Sequence, residues 1–162
     1  MKNTTKKCLI SLAALVGVVL AVVALFVAIV KTTSSLSGTQ VLYKIFDEGF
    51  NEVSDLSRAL MAFAIITAIL SVIVFALTAL EALDVVNSKK LRRVIASLLI
   101  VCAIITFALS FAFASELGGI SAGRIEIKSS AAIGAYLSFF GGLVAGVAAM
   151  FGLSNRGKRK KK

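Results

Sequence analysis

The sequence predicts an all-α integral membrane protein: a four-transmembrane-helix bundle with both termini cytoplasmic and a short amphipathic helix in its first outer loop. Three observations carry this expectation. Four apolar runs, residues 8–30, 59–80, 94–115 and 131–153, hold no charged residue, and at about 1.5 Å per residue each reaches roughly 33 Å as a helix, enough for a hydrocarbon core of about 30 Å. The hydrophobic fraction is 59% and the mean hydropathy +0.98, well above the roughly 45–50% apolar content of soluble domains. The 18 lysines and arginines are also unevenly spread between alternate connections. The chain therefore reads as one four-pass domain over residues 1–162, with outer loops 31–58 and 116–130 and a tail at 154–162.

Span one begins after Lys2, Lys6 and Lys7. That start fits a secretory signal, but the apolar run far exceeds an h-region of about 7–15 residues, so a retained signal-anchor is expected. Within it Ala14, Gly17, Ala21, Ala24 and Ala28 recur at alternating three- and four-residue steps. Such spacing lays small side chains along one left-handed packing seam.

In the first outer loop Leu42, Ile45, Phe46, Gly49, Phe50, Val53 and Leu56 share a helical face, with Asp47, Glu48, Asn51, Glu52 and Asp55 opposite. Ser37 followed by Gln40 makes a capping-box start. An amphipathic helix over residues 38–56 is expected, weakened by about 1 kcal/mol at Gly49. Leu42, Ile45, Phe46, Phe50 and Val53 would be its contact face, lidding the bundle or meeting a partner. The acidic opposite face argues against adsorption to anionic lipid.

Spans two and three offer Ala64, Ala68 and Ser71, then Ala96, Ala103 and Ser110, while Thr67 and Thr106 can hydrogen-bond locally or across helices. Glu81 and Asp84 follow span two, and Lys89, Lys90, Arg92 and Arg93 precede span three. Glu81 close to Arg92 and Arg93 reads as an interfacial ion pair rather than a coupling carboxylate. Cys8 at the inner boundary and Cys102 about 12 Å deeper cannot reach one another, and both read as structural.

The second outer loop alternates Arg124, Ile125, Glu126, Ile127 and Lys128 after Gly118, Gly119 and Gly123. This suggests a short strand, which needs a neighbour to be stable. Span four places Gly134, Ser138, Gly142 and Gly146 at successive four-residue steps, with Gly141, Ala145 and Ala149 alongside. Small residues at this spacing let helix backbones come close, within the bundle or against another subunit.

Orientation follows from charge. Thirteen basic residues fall in the N-terminal segment, the loop after span two and the tail (Arg156, Lys158, Arg159, Lys160, Lys161, Lys162). Only Lys31, Lys44, Arg58, Arg124 and Lys128 fall on the other side, against six acidic residues. The positive-inside rule then places both termini in the cytoplasm. The same asymmetry accounts for the net charge of +10 without nucleic acid as a partner. Each basic residue of the tail would gain about 1 kcal/mol beside an anionic inner leaflet, so Arg156 to Lys162 either hold lipid headgroups or an acidic partner, or serve simply as a cationic stop that keeps the fourth helix from sliding outward. The last five residues also resemble a dilysine-type retrieval signal, but nothing else points to a eukaryote, and a bacterial plasma membrane is the expected location.

Several chemistries lose their support. The chain has no histidine, which removes bis-histidine haem and histidine-ligated metal sites. No span carries an ionisable residue of the kind proton and ion pathways use. Proline is absent and the first three spans hold one glycine, Gly17, whereas transporter spans are commonly broken at midplane. No catalytic, cofactor or metal residue is therefore assigned, and the chain is not expected to be an enzyme. In span count and loop lengths it resembles the claudin-type tetraspans. It lacks the tryptophan and paired first-loop cysteines of that family, so the resemblance transfers no residue and no junction function.

The expected function is an accessory or scaffold subunit with a membrane-protein partner or a homo-oligomer. A self-associating channel or holin-like permeation protein is the alternative. A small transporter or membrane enzyme built on Glu81 and Asp84 stands third.

Overall fold

The computed structural model describes residues 2–34, 39–83, 85, 89–118 and 127–151. The elements in order are α1 (Lys2–Ala24), β1 (Val30–Ser34), β2 (Gln40–Tyr43), a 3-10 turn (Phe50–Glu52), α2 (Asp55–Ala82), α3 (Lys89–Gly118), β3 (Ile127–Ala131) and α4 (Ile133–Phe151). All four helices are long and apolar enough to cross a membrane. The shortest, α4, has 19 residues and reaches about 28 Å.

In lipid, apolar surface gives helices no reason to associate, so association rests on close packing and polar contacts. The interior faces are built accordingly. On α2 the buried residues Ser57, Leu60, Ala64, Thr67, Ser71, Val74, Thr78 and Glu81 follow at alternating three- and four-residue steps. On α3 Arg92, Ala96, Leu99, Ala103, Thr106, Ser110, Phe113 and Leu117 do the same. Ala14, Gly17, Ala21 and Ala24 continue the pattern on α1, and Ala135, Ser138, Gly142, Ala145 and Ala149 on α4; all are buried. A 3.5-residue period on every helix is the pattern of a left-handed bundle. The larger side chains gather at its two ends. One cluster holds Ile29, Ile45, Phe50, Leu60 and Phe113, the other Val74, Leu99 and the alanines around them.

The bundle is capped at one end by a three-stranded antiparallel sheet in the order β2-β1-β3. This corrects the all-α expectation. Val30 pairs with Tyr43 and Thr33 with Gln40 on one side of β1, and Val30 with Ala131 and Ser34 with Ile127 on the other. The strand expected in the second outer loop thus exists, as β3, and finds its neighbour in the first. Its predicted beginning, Arg124 to Glu126, lies outside the described residues.

The amphipathic helix expected over residues 38–56 does not form. Gln40–Tyr43 is strand, and only the single turn Phe50–Glu52 is helical before α2 begins. Two physical reasons stand out. Gly49 sits at φ 78°, a left-handed conformation no helix interior contains. And β1, rich in β-branched residues, would leave main-chain groups unpaired without a strand beside it. Ser37, the predicted cap, lies outside the described residues. The capping box that exists is at α2, where Ser54 accepts from the Ser57 main chain at 3.2 Å while Ser57 Oγ accepts from the Ser54 N–H at 3.1 Å.

Span one is also shorter than its apolar run. The helix stops at Ala24, and the chain turns before β1 starts at Val30. Ala28, Ile29 and Val30 stay apolar because they are buried at the junction of bundle and sheet.

Candidate functional site

The helix-packing residues come together mainly between α1 and α4. A Cβ placed on Gly17 would lie 2.6 Å from the main-chain N of Ala145 and 2.7 Å from the Gly141 oxygen, and one on Gly141 would lie 2.6 Å from the N of Ala21. A Cβ on Gly134 would meet the main-chain oxygens of Ala28 and Val27 at 2.7 and 2.8 Å. Backbone therefore touches backbone over most of this contact. Ala14, Ala21, Ala24 and Ala28 are buried along the same side of the first segment. Gly142 and Gly146 face elsewhere. A Cβ on Gly142 would meet Ala103 on α3, and one on Gly146 would meet the Ile100 side chain at 2.6 Å. The glycine-rich face of α4 is thus divided between two neighbours, with Ser138 buried between them.

The α2/α3 hairpin is fastened at three levels. At the sheet end Ser54 Oγ donates to Glu116 Oε2 at 3.0 Å, across 62 residues of sequence. At mid-depth the Thr67 and Thr106 hydroxyls meet at 3.2 Å, one donating to the other, while the accepting hydroxyl gives its own proton to the carbonyl one turn back, that of Phe63 for Thr67 or of Cys102 for Thr106. At the far end Arg92 Nε lies 3.3 Å from Glu81 Oε2, with side chains 0% and 4% exposed. From Thr67 to Glu81, and from Arg92 to Thr106, is two heptads, about 21 Å on either helix. The two polar layers therefore stay in register from one helix to the other. Further hydroxyls along this interior, Ser71, Thr78 and Ser110, are satisfied by carbonyls of their own helices. The expected Glu81 ion pair is present, with Arg92, and it is buried between the ends of α2 and α3. Asp84 lies outside the described residues. Cys8 is exposed, Cys102 is buried, and both are free thiols.

The outer-loop contact residues are split. Ile45 and Phe50, 1% and 2% exposed, are core; Leu42, Phe46 and Val53 remain 50%, 52% and 44% exposed. Phe50 and Tyr43 set their rings edge-on to Phe113 of α3, with centroids 5.5 and 6.1 Å away. That contact fixes the sheet to the bundle. Phe46 instead meets Phe26, itself exposed, at 5.6 Å. Sequence reasoning missed Val41 and Phe26, which are also exposed apolar residues. Val41 could have been found only by reading 40–43 as a strand, where it alternates with Leu42. The basic residues Arg156, Lys158, Arg159, Lys160, Lys161 and Lys162 lie outside the described residues.

Among the described residues no group of three or more His, Cys, Asp or Glu side chains gathers as a metal site. Comparison with family models, with curated proteins and with solved structures finds no match.

Proposed function

We propose that this chain is a non-enzymatic four-pass membrane protein, with both termini in the cytoplasm, that serves as an accessory or scaffold subunit for a partner membrane protein. The observation that carries this reading is the outer surface. Val41, Leu42, Phe46 and Val53 are exposed on a sheet and turn anchored rigidly to the bundle through Phe50 and Phe113. Large apolar side chains left exposed outside the bilayer generally mark a contact with another molecule. The bundle supports it from beneath: its interior is filled by backbone contact and by polar groups that meet one another, which suits a scaffold. The tail, Arg156 to Lys162, is assigned to anionic headgroups of the inner leaflet.

The test is recovery of a partner from cells after crosslinking from a photoreactive side chain at position 46. A discrete heterologous product is expected, also when the photoreactive side chain is moved to position 53; from position 53 it is lost with Val41→Asp plus Phe46→Asp and kept with Glu48→Ala plus Glu52→Ala. If both double variants behave alike, or if the purified protein alone makes bilayers leak, the accessory reading gives way to the permeation reading.

A further inference from the structure

Beside β2 lies a groove that the bundle leaves open. Apolar Leu42, Tyr43, Phe50 and Val53 line it together with Asp47 and Glu48, and its volume is about 220 Å³. Small-molecule sites usually enclose about 300–1,000 Å³, so this space suits one long side chain rather than a cofactor-sized ligand. Asp47 is held at the turn, where its Oδ2 accepts the Lys44 N–H at 3.0 Å.

The strand alongside is an edge. In the order β2-β1-β3, β2 has, among the described residues, a neighbour on one side only. The Ser34 N–H bonds the Thr39 carbonyl at 3.1 Å. Because bonded and non-bonded pairs alternate along an antiparallel ladder, the main-chain groups of Gln40 and Leu42 point away from β1. Edges are commonly protected by charge, proline or a bulge. β2 reads Gln-Val-Leu-Tyr, with neither charge nor proline.

We propose that this edge and groove dock an extended segment of a partner protein bearing an arginine. The segment's main chain pairs with Gln40 and Leu42, the arginine stem lies on Leu42, Phe50 and Val53, and its guanidinium reaches Asp47 and Glu48. Arginine fits better than lysine because its planar fork can engage two carboxylates together. A second copy of this chain is disfavoured, since it would bring two further carboxylates to the same place. The inference rests on the accessory-subunit reading and names the chemistry of its partner.

The probe is a dye-labelled, end-blocked peptide Thr-Val-Arg-Val-Thr, added to the full-length protein in lipid nanodiscs and followed by fluorescence anisotropy. Binding with a Kd of about 1 mM or tighter is expected, and the same peptide with glutamate replacing arginine should bind roughly tenfold more weakly. Asp47→Asn with Glu48→Gln should erase that preference, and Leu42→Pro, which removes an edge N–H, should weaken both peptides. A cysteine pair at positions 32 and 129, still oxidising to a disulfide in each variant, certifies that the sheet is folded. No binding of the arginine peptide, equal binding of the glutamate peptide, or unchanged preference in the neutralised variant overturns the proposal. The two readings fail separately. A crosslinked partner recovered undiminished from the Asp47→Asn, Glu48→Gln variant removes the docking site and leaves the accessory role. Absence of any partner alongside intact peptide preference removes the role and leaves the site.

Discussion

At the scale of single residues, two kinds of contact hold the bundle, and they differ in what a substitution would cost. Arg92 and Glu81 are charges taken out of water, so each depends on the other. Removing one partner of a buried pair typically costs about 3–5 kcal/mol, whereas replacing both by apolar residues is often neutral. Arg92→Leu and Glu81→Leu should therefore each lower the unfolding midpoint in detergent markedly, and the double variant should recover most of the loss. Additive losses would show that the pair is not coupled. The glycines act through space alone. A Cβ on Gly141 would press on the main chain of Ala21, which cannot yield, while one on Gly146 first meets the flexible Ile100 side chain. With overpacking typically costing about 1–3 kcal/mol, Gly141→Ala should fall near the top of that range and Gly146→Ala well below it. Equal thermal stability of the two would contradict the division of α4 between α1 and α3. The small residues themselves were legible in the sequence, as was the Glu81 pair. Which glycine faces which helix was not, because spacing fixes a face but not its neighbour.

At the scale of elements, the helices were readable because four uncharged runs match the bilayer thickness, and the sheet was not. The run at residues 8–30 is apolar for two successive reasons, a helix through Ala24 and then a turn that leads into the buried Ala28, Ile29 and Val30, which hydropathy does not separate. The first outer loop misled in a similar way. Ile45 and Phe50 are buried, as the helical pattern asked, but from a turn and a 3-10 segment rather than from one helix face. The pairing that decides the matter is long-range, joining residues about 100 apart in β1 and β3, and no local window contains it. It yields a direct test. The Ala132 N–H bonds the Ile29 carbonyl at 2.7 Å, so by alternation the register pair Thr32 and Ser129 is a non-bonded one, the kind whose side chains approach most closely. In a background lacking Cys8 and Cys102, Thr32→Cys with Ser129→Cys should oxidise to an intramolecular disulfide, seen as a mobility shift without reductant. Thr33→Cys with Ser129→Cys, on opposite faces of the sheet, should not. Oxidation of both pairs alike would mean the register is wrong or the strands slide.

Across the whole molecule, the contacts give the two ends unlike net charge. Gly134 beside Ala28, and Gly141 beside Gly17, make α1 and α4 antiparallel. Thr67 beside Thr106, and Arg92 beside Glu81, do the same for α2 and α3. The sheet then marks one end, where α1 finishes and α2 and α4 begin. Lys6, Lys7, Lys89, Lys90, Arg92 and Arg93 all belong to the other end, remote from Asp47, Glu48, Glu52, Asp55 and Glu116. Positive charge resists translocation, so the proposed orientation sets the sheet outside and the basic end in the cytoplasm. It is also the orientation the docking proposal needs, since a partner can reach β2 only from the side on which β2 lies. In a chain with Cys8 and Cys102 replaced by serine, single cysteines at the exposed positions Gln40, Ser130 and Val85 test it in intact cells with an impermeant thiol reagent. Positions 40 and 130 should label, and position 85, between α2 and α3, should label only after the membrane is opened. The reverse pattern would invert the protein, placing the acidic groove in the cytoplasm and removing any extracellular partner from consideration.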